Sequence, residues 1–268
     1  MTARDIAPAK LNLALHVRGA LPDGRHSIAT IFAFCVDGDR LSAEPADELT
    51  LTVSGPFASE LPGDADNLVI RAAKALQAAA GTRHGAAIHL DKKLPVASGI
   101  GGGSADAAAA LRLLTSLWQI DPAHASAVAP GLGSDVPACL LSLAARGEGV
   151  GDQVTQVELP EISGASVLLI NPRVALSTGA VFARWDGVDR GPLGDWRHGR
   201  NDLEAPAIAL VPQIETVLAW LAVQPGASFV RMSGSGATCF ALFDSEVLRD
   251  DAAHRVPREW WHLATHLR

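Results

Sequence analysis

The stretch LPVASGIGGGSADAAAAL, from Leu94 to Leu111, limits the possible folds of this chain more than any other feature, because four glycines and two serines stand directly before or at the start of an alanine-rich run. The run predicts a helix from about Gly103 or Ser104 to about Gln119. Glycines at a helix start let backbone N–H groups approach a ligand, and the helix N-terminus adds positive potential. The pattern favours a phosphate site, and a tight structural turn is the alternative.

The common phosphate-binding loops do not match this stretch. A Walker A loop needs Gly-Lys-Ser/Thr, and the chain contains no Gly-Lys pair. The dinucleotide fingerprint fails because Ser104 stands where its third glycine belongs, which argues against a dinucleotide-dependent oxidoreductase. The H-R-D and D-F-G sequences of protein kinases are missing too.

Composition indicates a soluble globular enzyme of the cytoplasm. The chain has 268 residues, 48% of them hydrophobic, and a net charge of −7, so we expect no nucleic-acid partner. No apolar run reaches the roughly 18 residues of a membrane-spanning helix, and no secretory signature is visible, so no membrane partner is expected. Three cysteines lie far apart and suggest neither a metal site nor a disulfide framework.

The chain shows both strand and helix patterns, with an antiparallel strand-rich opening and a soft boundary near residues 155–165. One helix, DNLVIRAAKALQAAAG, has Asp66 or Asn67 as its cap and Gly81 at its end. Strands are predicted for 10–17, 28–36, 49–53, AAIHL and ASVLLINP, and further helices for 177–186 and 204–222.

The chain has four lysines, and three of them lie in informative places. Lys10 sits among alternating apolar residues in APAKLNLALHV, where a lysine facing inward is costly without an anionic partner. Lys92 and Lys93 precede the glycines, and the simpler interpretation of that pair is a solvated strand end.

Two further loops favour phosphoryl transfer. MSGSGATCF is a turn of small residues, and GLGSDVP places Asp135 beside glycines and before a short helix. A serine-hydrolase elbow is disfavoured because position 233 is serine rather than glycine. Phosphoryl transfer needs a phosphate cradle, a hydroxyl or carboxylate for Mg²⁺, a cation and an aspartate that orients the acceptor, and all of these are available.

PAKLNL at 8–13, PVASGIGGGSADAA at 95–108 and SGSGAT at 233–238 resemble, in order, the three motifs of the GHMP kinase superfamily. The resemblance implies an α/β (α+β) fold of two lobes. The N-terminal lobe, 1–158, would resemble domain 2 of ribosomal protein S5 and bind ATP and acceptor. The C-terminal lobe, 159–268, would carry a ferredoxin-like sheet.

Further segments, namely DGRHS, DNLVIRAA, GSDVP and NDLE, resemble one branch of that superfamily. The likeness implies transfer of the ATP γ-phosphoryl to the 2-hydroxyl of 4-diphosphocytidyl-2-C-methyl-D-erythritol, in the non-mevalonate pathway of isoprenoid synthesis. The alternative is a kinase of the same superfamily for another small alcohol such as homoserine. A regulator without turnover is disfavoured because Lys10 and Asp135 are both retained. We expect a monomer or weak homodimer.

The resemblance also implies the roles of individual residues. Asp135 would be the catalytic carboxylate and Lys10 would pair with it, and a helix N-cap is the alternative role of Asp135. Ser104 would reach Mg²⁺ or a phosphate oxygen. ATP would be bound by Asn67, Pro95, Val96, Ala97, Ser98, Gly99, Ile100, Gly101, Gly102, Gly103 and Ser104.

The acceptor would contact Asn12, Arg25, His26, Phe182, Gly234, Ser235 and Gly236. One position departs from the family pattern, because members commonly have a tyrosine where this chain has Arg25, and the chain has no tyrosine at all. A guanidinium can also stack on a base, with Phe182 on the opposite side, and Trp185 is a possible substitute.

Overall fold

The computed structural model describes residues 2–61 and 67–268. Its strands are β1 (Ala3–Ala20), β2 (His26–Ala46), β3 (Leu49–Ser54), β4 (Gly85–Asp91), β5 (Ala145–Glu148), β6 (Gln153–Gln156), β7 (Ser166–Asn171), β8 (Ala227–Met232), β9 (Cys239–Phe243) and β10 (Trp261–His266). Its helices are α1 (Leu68–Ala80), α2 (Gly102–Leu117), α3 (Pro122–Leu132), α4 (Val136–Leu141), α5 (Thr178–Phe182), α6 (Glu204–Leu210), α7 (Gln213–Ala222) and α8 (Glu246–Ala253).

The chain divides into two compact units, and each is assembled from three separate segments. Unit 1 consists of Met1–Ala9, Asp37–Val96 and Gly101–Ser142. Unit 2 consists of Lys10–Val36, Ala97–Ile100 and Leu143–Arg268. The long strands β1 and β2 therefore contribute residues to both units. The division of function at residues 158 and 159 stays a prediction.

In unit 1, β4 is the strand that joins its neighbours. It pairs in parallel with β3, from Leu49 opposite Ala86 to Ser54 opposite Asp91, and antiparallel with the end of β2. Parallel neighbours need a crossover connection, and α1 provides it. As predicted, the Asn67 side chain caps α1 by accepting from the Val69 N–H at 2.9 Å, and Gly81 ends it with a φ of +63°. Asp66, the other predicted cap, lies outside the described residues.

Helix α2 is surrounded by α1, α3 and α4. Five of its alanines, at positions 105 and 107–110, are almost completely buried. Small side chains let neighbouring helices approach closely, so the alanine-rich run marks the centre of a helical layer. The helix begins at Gly102, slightly earlier than predicted, and Gly101 precedes it with a φ of +66°, a conformation that favours glycine.

Unit 2 is centred on a four-stranded antiparallel sheet in the order β10-β7-β9-β8. All six residues of β7 are buried, because the strand lies between β10 and β9 and both α7 and α8 pack against it. Helix α7 packs against β7, β8 and β9, and α8 packs against β7, β9 and β10. The first part of β2 pairs with β5, which forms a hairpin with β6. The antiparallel sheet with its helices agrees with the predicted mixed α/β class.

Two predicted helices are shorter than their patterns suggested. The segment 177–186 forms only the five-residue helix α5. The segment 204–222 is divided into α6 and α7, with Pro212 at the boundary, because a proline in a helix interior lacks a backbone donor and clashes with the preceding turn. Within residues 2–61 and 67–268, no helix combines the length and apolar character that a membrane crossing requires.

Candidate active site

The predicted site residues are divided between the two units. Unit 2 holds Lys10, Asn12, Arg25, His26, Ala97, Ser98, Gly99, Ile100, Phe182, Gly234, Ser235 and Gly236. Unit 1 holds Asn67, Pro95, Val96, Gly101, Gly102, Gly103, Ser104 and Asp135. The geometry of each group is described within its own unit.

In unit 2, the segment 97–100 is held by backbone hydrogen bonds on both sides. The Lys10 N–H donates to the Ile100 carbonyl at 2.9 Å, and the Thr238 N–H donates to the Ser98 carbonyl at 3.1 Å. The first half of the glycine stretch therefore lies between strand β1 and the turn that follows β8. The contacting part of β1 belongs to the motif PAKLNL, and the turn after β8 belongs to the motif SGSGAT.

Gly99 and the turn 233–236 approach each other backbone to backbone. A Cβ on Gly99 would lie 2.5 Å from the Ser233 carbonyl oxygen and 2.6 Å from that of Gly236. Gly99 also has a φ of +79°, and Gly234 one of +56°. Both the space and the backbone conformation therefore require glycine at position 99.

Lys10 faces inward, as its sequence context indicated, and is only 3% exposed. Its Nζ donates to the Asn12 side-chain oxygen at 2.9 Å and lies 4.9 Å from the centre of the Phe32 ring. The Asn12 amide nitrogen in turn donates to the Thr30 hydroxyl at 2.7 Å, and that hydroxyl donates to the Ala14 carbonyl. Asn12 therefore orients the ammonium of Lys10, and a chain of buried hydrogen bonds holds Asn12 in place.

In unit 1, the first turn of α2 presents Gly102, Gly103 and Ser104. Amides in the first turn of a helix have no acceptor within the helix, so they are available to an anion. Gly103 is exposed and Ser104 is half-buried. A Cβ placed on Gly133 would lie 3.9 Å from the Ser104 hydroxyl oxygen, so Ser104 faces the GLGSDVP loop.

Asp135 stands immediately before α4, but its carboxylate accepts no capping hydrogen bond there. Asp121 provides a contrast at the start of α3, because its carboxylate does accept from the Ala123 N–H at 2.8 Å. The capping alternative for the Asp135 side chain is therefore not observed. Asp135 is half-buried and lies two residues beyond Gly133.

The interpretation of Lys92 as a solvated residue at a strand end is wrong, because its side chain is buried. Lys92 is 1% exposed, and its Nζ lies 2.6 Å from carboxylate oxygens of both Asp39 and Asp106. The other Asp39 oxygen accepts the N–H groups of Lys93 and Leu94. Lys93 fits the original interpretation better, since it is partly exposed and lies 3.5 Å from Asp91.

The two carboxylates of this cluster have different environments. Asp39 accepts hydrogen bonds at both oxygens, whereas the second oxygen of Asp106, Oδ1, is buried without a partner among the described residues. Burial raises the pKa of Asp106 to about 8, and the nearby Asp39 adds to the shift while Lys92 opposes it. Burial alone would lower the pKa of Lys92, but the two carboxylates outweigh it and raise that pKa.

Two of the residues predicted to contact the acceptor, His26 and Phe182, are in contact with each other. Their rings stack with centres 4.8 Å apart, and the Trp185 ring meets His26 edge-on at 5.6 Å. Arg25 does not take part in this cluster. Its exposed guanidinium is 2.7 Å from Asp23, and the same contact lowers the pKa of Asp23.

Two other predicted residues have evident structural contacts. The Asn67 oxygen is occupied by the cap of α1, and the Ser235 hydroxyl lies 2.9 Å from that of Thr178. Sequence reasoning did not single out Ser233 and Asn201, although both begin motifs that it quoted. The Asn201 side-chain nitrogen donates to the carbonyls of Met232 and Gly234, both at 2.8 Å, and so holds the turn.

Comparison with known proteins defines the class to which this fold and these loops belong. The model of the GHMP kinase N-terminal domain matches residues 67–154, and that of the GHMP kinase C-terminal domain matches residues 189–263. The chain belongs to the GHMP kinase family, whose kinases use ATP as phosphoryl donor.

Several similar curated proteins carry the same specific name. A 4-diphosphocytidyl-2-C-methyl-D-erythritol kinase of Rhizorhabdus wittichii is 54% identical over 100% of this chain and 96% of its own length. The protein of that name in Hyphomonas neptunium is 46% identical over 97% of this chain and 95% of its own length.

Solved structures of GHMP-type kinases are also similar to this chain. A crystal structure of 4-(cytidine 5'-diphospho)-2C-methyl-D-erythritol kinase has a TM-score of 0.85 and 32% identity, and 99% of each chain is covered. A homoserine kinase from Cytophaga hutchinsonii has a TM-score of 0.70 at 16% identity, over 99% of this chain and 95% of its own, so that likeness shows the fold alone.

Proposed function

We propose that this protein transfers the γ-phosphoryl group of ATP to the 2-hydroxyl of 4-diphosphocytidyl-2-C-methyl-D-erythritol, in the non-mevalonate pathway of isoprenoid synthesis. The observation that carries the proposal is the identity of 54% over the whole chain to a kinase of that name. Within this chain, the buried Lys10, the glycine stretch and the stacked His26 and Phe182 supply parts that such a reaction needs.

The nucleotide would be bound along the glycine stretch. The segment 97–100 and the first turn of α2 would wrap the triphosphate, because glycine backbone and free first-turn amides suit an anion. Pro95 and Val96 precede this segment. Asn67 would lie near the adenosine. Its side-chain oxygen caps α1, so its side-chain nitrogen is the group that would face the nucleotide.

Two residues would carry the chemistry. Asp135 would orient the acceptor hydroxyl and accept its proton as the oxygen attacks the γ-phosphorus. Lys10 would stabilise the negative charge on the phosphoryl group during transfer. Asn12 fixes the direction of the Lys10 ammonium, which limits the motion that would weaken this stabilisation.

Mg²⁺ would be held with few protein ligands. Across residues 2–61 and 67–268, no group of three His, Cys, Asp or Glu side chains is placed to hold a metal. The Asp106 carboxyl group already contacts the Lys92 ammonium. The Ser104 hydroxyl, in the first turn of α2, would therefore be the Mg²⁺ ligand from unit 1. This suits Mg²⁺, which keeps several waters and binds largely through substrate phosphates. The ion would neutralise charge on those phosphates.

The acceptor would be recognised on the side of His26 and Phe182. Phe182 provides an aromatic face for cytosine and His26 provides ring nitrogens for its polar edge. Gly234, Ser235 and Gly236 would line the same site, together with Asn12. Arg25 has its guanidinium engaged by Asp23 in this structure, so any stacking by Arg25 requires that ion pair to open.

The direct test is ADP release by the purified protein with Mg²⁺ and ATP. The acceptors to compare are 4-diphosphocytidyl-2-C-methyl-D-erythritol, homoserine, mevalonate, galactose and none. Turnover with the cytidylated acceptor alone is expected. Turnover with homoserine instead would move the protein to the alternative within the same family. The cytoplasmic location and the monomer or weak homodimer stay predictions.

A further inference from the structure

The hydroxyl of Ser233 lies where all three sequence motifs meet within unit 2. It accepts from the backbone N–H of Asn12 at 3.2 Å and donates to the carbonyl of Gly99 at 3.0 Å. Ser233 is completely buried, so water does not compete for either bond. A single oxygen therefore connects strand β1, the glycine stretch and the turn after β8.

Only a side chain that both donates and accepts can make this connection. A serine hydroxyl has one donor hydrogen and two acceptor lone pairs, which match the Asn12 amide and the Gly99 carbonyl. Alanine would leave the buried Asn12 N–H and the buried Gly99 carbonyl without the partner that Ser233 provides.

The turn that carries Ser233 is itself fixed. The Ser233 N–H donates to the Thr238 carbonyl at 2.9 Å, and the Gly236 N–H donates to the Ser233 carbonyl at 3.0 Å. Asn201 holds the carbonyls on either side of Ser233, and it is 8% exposed. The hydroxyl is thus presented from a rigid support rather than from a mobile loop.

We propose that Ser233 is a positioning residue, which fixes the segment 97–100 relative to Asn12 and, through Asn12, relative to the Lys10 ammonium. This inference rests on the proposed function, because it assigns phosphate binding to that segment and charge stabilisation to Lys10. The hydroxyl then keeps the nucleotide phosphates and the catalytic cation in one geometry during transfer.

The first experiment compares Ser233→Ala with Ser228→Ala. Ser228 is the control because it lies on β8 and its hydroxyl also donates to a backbone carbonyl, that of Leu242, but from an exposed position. A misplacement of about 1 Å costs roughly a hundredfold in rate, so kcat of Ser233→Ala should fall about that far with both KM values nearly constant. The control should keep its kcat.

Rescue separates positioning from simple loss of stability. Ser233→Thr retains a hydroxyl on the same carbon and should recover much of kcat if that oxygen is what matters. A folded Ser233→Ala protein whose kcat stays within about threefold of the parent would overturn the proposal, as would an equal loss in the Ser228→Ala control.

A second measurement needs no variant and no acceptor. Amide hydrogen exchange of Asn12 in the unmodified protein is followed with and without a non-hydrolysable ATP analogue. If Ser233 links Asn12 to the segment 97–100, the analogue at about ten times its Kd should slow exchange at Asn12 by about tenfold. Unchanged exchange with the analogue bound would refute the link. Since no acceptor is present, a different acceptor would leave this result intact.

Discussion

The side-chain nitrogen of Lys92 lies 2.6 Å from an oxygen of Asp106, although the two residues come from the end of a strand and the start of a helix. A Cβ on Gly102 would be 3.1 Å from the same nitrogen. The ammonium is therefore packed under the first turn of α2, where the phosphates of ATP are expected. Asp39 completes the cluster from β2.

Lys92→Met should be strongly destabilising, because it leaves the buried Asp39 and Asp106 without the ammonium that both contact. Loss of one partner from a buried ion pair costs about 3–5 kcal/mol. Lys93→Met is the matched control, and its free energy of unfolding should change by less than about 0.5 kcal/mol because Lys93 is partly exposed. Denaturant unfolding of both variants measures the difference. Equal midpoints for the two would contradict the structural role of Lys92.

The stability of the protein should depend on pH through Asp106. Its pKa is raised from 3.8 to about 8, so the folded state holds the proton more tightly than the unfolded chain. The stabilisation of the folded state by the Asp106 proton is complete below about pH 4, and it is lost as pH rises through about 8. Asp106→Asn removes it, so the parent should lose about 2 kcal/mol relative to the variant between about pH 6 and 8. Parallel pH profiles of the two proteins would show that Asp106 does not titrate in this range.

Asp135→Asn should reduce kcat by about 10²–10⁴ while the protein stays folded, because an amide cannot accept the proton of the acceptor hydroxyl. Asp121→Asn is the control. It alters an aspartate that caps a different helix, α3, and the amide oxygen of asparagine can still accept the capping hydrogen bond. Steady-state kinetics of the two variants decide the matter. Near-normal turnover by Asp135→Asn would remove Asp135 from the catalytic role.

Phe182→Ala should raise the KM for the cytidylated acceptor by about tenfold or more, because stacking of a base on an aromatic ring contributes about 1–3 kcal/mol. The KM for ATP should stay constant and serves as the internal control. Arg25→Ala should have a smaller effect on the acceptor KM, since Arg25 is held by Asp23. A larger effect at Arg25 than at Phe182 would reverse the assignment of the stacking residue.

Local signals in the sequence were sufficient for much of the fold. The cap and the terminating glycine of α1 follow from two residues, and the glycine stretch before α2 follows from one quoted segment. The burial of Lys10 was also predictable, because its neighbours alternate in the manner of a strand. The order of the three motifs was enough to indicate the family.

Contacts between distant residues could not be obtained in this way. Lys92 is followed by Lys93 in a polar stretch that resembles a solvated end, and nothing nearby reveals that Asp39, 53 residues earlier, accepts a hydrogen bond from the Lys92 ammonium. Likewise, Ser233 meets Asn12 across 221 residues. Neither contact could be predicted from the sequence, because tertiary packing and not residue type determines which groups form a hydrogen bond.

The interleaving of three segments in each unit has a consequence for fragments of the gene. A cut at any single point between residues 10 and 268 leaves unit 2 without part of its chain, and a cut before residue 142 divides unit 1 as well. Activity recovered from two co-expressed halves would therefore require one fragment to supply strands to the other. Such halves would behave as complementing pieces of a single fold and not as separable modules.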